Sequence, residues 1–148
     1  MDYREFVSCI GKHEDDPEVQ ALLSVLGITK KLKMPKDDID VRHVLHSHGL
    51  DLIFKPESQK TSRLILYAVQ FISSLEEGFS TFTGTLPSGL LFSDGQVEAQ
   101  RKLGTPSTSK PKLRRDIWRL NGLQLALKYS RNPPHQIAVI TMQIPLEE

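Results

Sequence analysis

The strongest constraint on this chain is an internal repeat. Gly49-Leu50-Asp51-Leu52-Ile53-Phe54-Lys55 lies in register with Gly122-Leu123-Gln124-Leu125-Ala126-Leu127-Lys128. Without a gap, the apolar run from Leu64 to Phe71 then falls on the run from Ile137 to Ile144. Over the 24 ungapped positions from Gly49, five are identical: Gly49, Leu50, Leu52, Lys55 and Gln70 with their partners. The apolar pattern persists through both segments, so whatever structure one segment adopts is required of the other.

A helix is predicted upstream of each segment. Pro17 to Gly27 and Gln96 to Gly104 both end in Leu-Gly. Asp16 and Asp94 (or Ser93) are the expected N-caps, because their side-chain oxygens can accept the free amides of a first turn. Pro17 suits the first helical position, and Gly27 and Gly104 suit a left-handed C-cap. Leu22 with Leu26, and Ala99 with Leu103, are four apart and share a face. Asp2 to Ile10 forms a further predicted helix, with Phe6, Val7 and Ile10 on one side.

Each Leu-Gly is followed by a polar stretch rich in Lys and Pro, Lys30 to Asp38 and Thr105 to Arg115, and both are expected to be exposed loops. Strands are expected at Ile39 to His46 and Asp116 to Leu120. Between the two units, Phe79 to Leu86 alternates apolar and polar residues, which predicts one more strand. The fold class is α+β, in one domain over 1–148. Two tandem helix–loop–antiparallel-strand units, at about 16–72 and 93–145, are expected to join in one antiparallel sheet with the helices on one face.

At 148 residues the chain can bury a core without metals or disulfides. Cys9 is the one cysteine, so no intrachain disulfide forms and a Cys-rich zinc site is excluded. Its place on an apolar helix face predicts a buried, inert thiol. The start Met1-Asp2-Tyr3-Arg4-Glu5 lacks the basic and apolar regions of a signal peptide, and the apolar runs are too short to cross a bilayer. A cytoplasmic protein without membrane contact is expected.

Sequence motifs for catalysis are missing. There is no Gly-x-Ser-x-Gly elbow, and Gly84 to Gly89 lacks the Lys and Ser/Thr of a phosphate loop. The chain is therefore read as a non-enzyme with no cofactor. His43, His46 and His48 fall within six residues and raise a zinc reading. On a strand, however, His43 would face away from the other two, which favours polar histidines at a strand end near the turn Ser47-His48-Gly49.

Net charge is +1, so no overall field marks a nucleic-acid binder. Charge is nonetheless uneven: nine basic residues and a single acid, Asp116, lie between Arg101 and Arg131. Such a tract is either a solvated surface or a patch for an acidic partner. The preferred contact segment is the loop carrying Lys110, Lys112, Arg114 and Arg115, with Trp118 and Arg119 beside it. Trp118 has two readings, an interface anchor or a core anchor. If Leu50, Leu52 and Phe54 point to the core with Leu123, Leu125 and Leu127, then Asp51, Ile53 and Lys55 share the opposite face with Gln124, Ala126 and Lys128. That face is either a recognition surface or a plain solvated sheet.

The segment from Ser93 to Pro106, then Asp116-Ile117-Trp118, then a strand pair, resembles one half of the β-lactamase-inhibitor-protein fold. The order helix, Leu-Gly-x-Pro and Trp-strand is also similar to the small lipoprotein of the outer-membrane barrel-assembly machinery. The inhibitor is itself a tandem repeat of this unit, although its disulfides cannot form here. In size and character the chain also resembles immunity proteins of bacterial toxin systems. These resemblances imply a stoichiometric inhibitor whose partner is a cognate toxin or effector. The alternative is a nucleic-acid-binding module using the basic 101–131 tract, which would bind with a steep salt dependence. Its shortage of stacking aromatics ranks it second.

Overall fold

Alternation of apolar and polar residues is realised as strands wherever a sheet neighbour is at hand. The computed structural model describes residues 1–29, 40–58 and 63–145. Strands β1 (Val41–Leu45), β2 (Leu50–Pro56) and β3 (Leu64–Ile72) form one antiparallel meander, and β4 (Thr108–Lys110), β5 (Arg115–Leu120), β6 (Leu123–Tyr129) and β7 (Ile137–Gln143) form another. The two meet where β3 pairs antiparallel with β7, Val69 opposite Met142 and Phe71 opposite Ile140. A single open sheet results, in the order β1-β2-β3-β7-β6-β5-β4. The strands β2 and β6 both run for 7 residues and follow Gly49 and Gly122, each with positive φ.

Three short helices complete the α+β architecture: α1 (Tyr3–Val7), α2 (Pro17–Val25) and α3 (Gln96–Leu103). Phe6, Leu22 and Ala99 carry these helices into the same apolar cluster as Leu52, Phe54, Leu125 and Leu127. The helices therefore cover the face of the sheet that the alternation assigns to the core. Phe6 packs edge-on against Phe71 and Phe82, with ring centroids 5.6 Å and 5.9 Å apart. Each such pair adds about 1 kcal/mol beyond the area it buries. None of the helices among the described residues is long and apolar enough to cross a membrane.

The helix termini follow local chemistry at α1 and α2 but not at α3, where Gly104 has a positive φ of 85 with ψ -166, outside the left-handed helical region. Asp2 caps α1 in a capping box with Glu5, so this helix starts later and ends earlier than the expected 2–10. Asp16 accepts from the Glu18 amide at the start of α2, Pro17 is its first residue, and Gly27 takes φ 76. At α3 the expected cap fails. The N-cap is Gly95, with no side-chain bond. Asp94 instead accepts from the Leu91 amide at 2.9 Å and from Lys102 Nζ at 2.7 Å, because Lys102, two turns along, reaches back over the helix start.

Two strand expectations and one loop expectation are corrected. Phe79 to Leu86 is irregular apart from an isolated bridge between Thr85 and Asp2. Its alternation places Phe82 in the core, while the Ser80 and Phe82 amides bond to His46 and Ile72 carbonyls at the end of the meander. The segment wraps the sheet end and never runs alongside a strand. His46 leaves the first strand for a 3₁₀ turn, His46–His48. The Thr105–Arg115 stretch contains β4 and a second 3₁₀ turn, Pro111–Leu113, since β5 offers it an open edge. Residue 39 and the expected loop over 30–38 lie outside the described residues.

Candidate partner-binding face

The side of the sheet away from the helices forms a groove of about 210 Å³. Its floor is built from short or branched side chains, Ile53, Ala68, Ala126 and Thr141, each buried. Arg42, Lys55, Tyr67 and Arg115 stand around them, and Gln70, Gln124 and Gln143 line the middle. The cross-strand register places Ile53 opposite Ala68, Ala126 opposite Thr141 and Gln124 opposite Gln143. Long side chains over small ones give a polar rim with an apolar bottom, a composition suited to protein recognition.

Two of the five repeat identities open onto this face. Gln70, Gln143 and Lys55 line the groove, and Lys128 lies on the same face opposite Arg115. Lys55 lies 3.8 Å over the Tyr67 ring, which holds its ammonium in place. Lys128 is paired with Glu76 at 3.0 Å. Gln70 donates to the Thr141 hydroxyl at 3.2 Å across the central strand pair.

Several expected site residues gather at one edge. Lys110 faces Arg115 across β4 and β5, Arg115 faces Lys128, and Arg119 faces Gln124. Lys110, Lys112 and Arg119 are exposed, and Arg114 and Arg115 are half-buried. Among the described residues none of Lys55, Lys110, Lys112, Arg115 and Arg119 has an acidic partner. Unmatched cations of this kind set up a field that favours an acidic surface.

Two expected site residues are not accessible. Trp118 is 4% exposed, sits in the core cluster and donates its indole N–H to the Gly104 carbonyl at 3.0 Å. Its neighbours in β5, Ile117 and Arg119, take the open face, so strict alternation turns Trp118 inward. Asp51 lies on the open-face register but is 4% exposed, because Arg42 bonds to it at 3.1 Å. Its other carboxylate oxygen is buried and has no partner among the described residues. Burial pushes the Asp51 pKa up, against the opposing pull of Arg42.

The three clustered histidines are dispersed. His43 stands edge-on to Phe54, with ring centroids 5.9 Å apart, and its buried Nε2 has no partner among the described residues. Burial pushes its pKa down. His46 stacks on Phe79 at 4.6 Å, and His48 Nδ1 lies 3.1 Å from the Ser47 hydroxyl. Cys9 is buried, and desolvation raises its thiol pKa.

Arg42, Tyr67, Thr141 and Gln143 were not reached by reading β2 and β6 alone. The same alternation, carried across to β1, β3 and β7, would have found most of them. The β3 bulge at Tyr67, between the pairs Ile53–Ala68 and Phe54–Leu66, changes the parity and conceals that residue. No protein-family model, curated protein or solved structure matches the chain.

Proposed function

We propose that this chain is a stoichiometric protein-binding inhibitor, an immunity protein that neutralises a cognate bacterial toxin or effector in the cytoplasm. The observation that carries this reading is the open face, where Lys55, Arg115, Arg119 and Lys110 have no acidic partner among the described residues, around a floor of small buried side chains. Such a face offers cations for steering and apolar area for affinity, the two contributions that a protein interface combines. An acidic docking surface on the partner fits it. The reading also takes the fold as a duplicated unit. This is supported by β2 and β6, and by β3 and β7, falling where the repeat aligns them and joining symmetrically through β3 and β7.

The test is a tagged pull-down from source cells followed by an activity assay. One partner should elute with the chain at a 1:1 ratio and lose its activity when the chain is bound. A captured protein that keeps full activity would overturn the inhibitor reading. The cation-rich β4–β5 edge also favours the second reading, nucleic-acid binding. Nucleic acid alone in the eluate, lost at high salt, would establish that reading instead.

A further inference from the structure

Two hairpins of this sheet turn in the same way, but with different residues at the critical position. Between β1 and β2, Leu45 (φ -113, ψ 83) leads into a 3₁₀ turn that Gly49 closes at φ 64, ψ 43. Between β4 and β5, Lys110 (φ -124, ψ 81) leads into a 3₁₀ turn that Arg114 closes at φ 53, ψ 42. Glycine adopts this left-handed conformation freely, whereas a long side chain there costs about 1–2 kcal/mol. A bulky residue held where glycine would serve points to a use for the side chain.

The Arg114 side chain lines a pocket of about 250 Å³ together with Gln96, Pro111, Arg115, Tyr129 and His135. Arg114 Nε donates to the Tyr129 carbonyl at 3.1 Å, which fixes the guanidinium plane and leaves its two Nη groups without a partner among the described residues. His135 is oriented by a 2.8 Å contact between its Nδ1 and the Ser130 carbonyl, with Nε2 left over. No acidic residue among the described residues lines the pocket. The carboxylate nearest behind it, Asp116, is fully buried and already accepts from Ser109, Gln96, Gln100 and Tyr129. Neither arginine bonds to it.

We infer that this pocket binds the side-chain carboxylate of a glutamate from the acidic partner. Arg114 and Arg115 supply the planar donors, and Pro111 with the Tyr129 ring walls the methylene stem. Two guanidinium groups match a carboxylate geometrically as well as electrostatically. Arg115 lines both this pocket and the groove, so the pocket continues the open face past its edge. The inference rests on the proposed protein-binding role only for the source of the glutamate.

The test needs no partner protein, so its failure and that of the inhibitor reading are separate results. The chain is titrated with N-acetyl-glutamate N-methylamide while backbone amide NMR shifts are followed. The N-methylamide of N-acetyl-glutamine and free N-acetyl-glutamine serve as controls. Saturable shifts at Arg114, Arg115, Tyr129 and His135 with the glutamate probe alone are expected. Arg114→Gly, which relieves the left-handed turn, should weaken binding about tenfold or more while the fold is retained. Arg115→Gln is the second variant and should weaken it likewise. Linear shifts, equal shifts with the glutamine amide, or unchanged binding in both variants would overturn the site. Tighter binding of free N-acetyl-glutamine would overturn the side-chain assignment in favour of a chain terminus.

Discussion

The Tyr129 hydroxyl donates to Oδ2 of Asp116 at 3.0 Å, and both side chains are buried. Asp116 is the point at which three elements are tied to β5: β4 through Ser109, α3 through Gln96 and Gln100, and β6 through Tyr129. A lone buried carboxylate would be strongly unfavourable, and four donors make this one tolerable.

Asp116→Ala leaves those donors unsatisfied in a closed site. A loss of about 3 kcal/mol is expected, against about 1.5 kcal/mol for Tyr129→Phe, which removes one donor and no charge. Denaturant unfolding of both variants checks the ranking. Equal losses would mean that the carboxylate is not the centre of the network.

A pH dependence follows from the same group. Burial alone would raise the Asp116 pKa, but the bonds from Ser109, Gln96, Gln100 and Tyr129 outweigh it and hold the pKa below the ordinary value. A carboxyl depressed on folding contributes stability above its unfolded pKa of about 3.9, and that contribution is lost as pH falls through the folded value. Thermal unfolding of the parent and of Asp116→Asn should therefore differ at neutral pH and converge below about pH 4. A gap that stays constant would contradict the argument.

The two equivalent turns should respond oppositely to substitution. Gly49→Ala puts a methyl group onto backbone atoms of Ile72, Ser80 and Phe82 at a positive φ, so a loss of about 3 kcal/mol or more is expected. Arg114→Gly trades one hydrogen bond for a relaxed turn and should change stability by less than about 1 kcal/mol. Thermal midpoints of the two variants decide the point.

Arg42 and Asp51 provide a test of the open face itself. Removing Arg42 exposes Asp51 to its own desolvation, so Arg42→Ala should cost about 1.5 kcal/mol, less than a fully buried pair because Arg42 is 47% exposed. Asp51→Asn in the same chain should recover part of it. A double-mutant cycle with no coupling would show that the pair contributes nothing.

Trp118 is the single tryptophan, so it reports on its surroundings directly. Its burial predicts a blue-shifted emission that moves to the red on unfolding. Trp118→Ala should cost about 4 kcal/mol, with Trp118→Phe losing mainly the bond to Gly104. Native emission at the wavelength of a solvated indole would contradict this placement.

Much of the sheet was legible because period-two alternation needs no knowledge of the neighbours. Leu50, Leu52 and Phe54, with Leu123, Leu125 and Leu127, declared an inner face, and by elimination Lys55, Gln124 and Lys128 an outer one. Aligning the two segments went further, setting Lys55 against Lys128 and Gln70 against Gln143, all on that outer face. Helix starts and stops at Asp16, Pro17 and Gly27 were equally local, being set within one turn of chain.

Other outcomes belonged to the tertiary structure. Phe79 to Leu86 carries a strand pattern, yet it bonds to the end of a meander through Ser80 and Phe82 and pairs with no strand there, while Phe82 is buried in the core. Asp94 abandoned its capping role when Lys102 came within reach. The pocket at Arg114 joins residues from α3, the 3₁₀ turn, β6 and the segment before β7, and no local pattern connects them. Local sequence determines what a segment is able to form, because backbone geometry and side-chain period are short-range properties. Which surface is buried, which charge is left unpaired and which side chains converge depend on contacts between distant segments, and only the folded chain brings those into being.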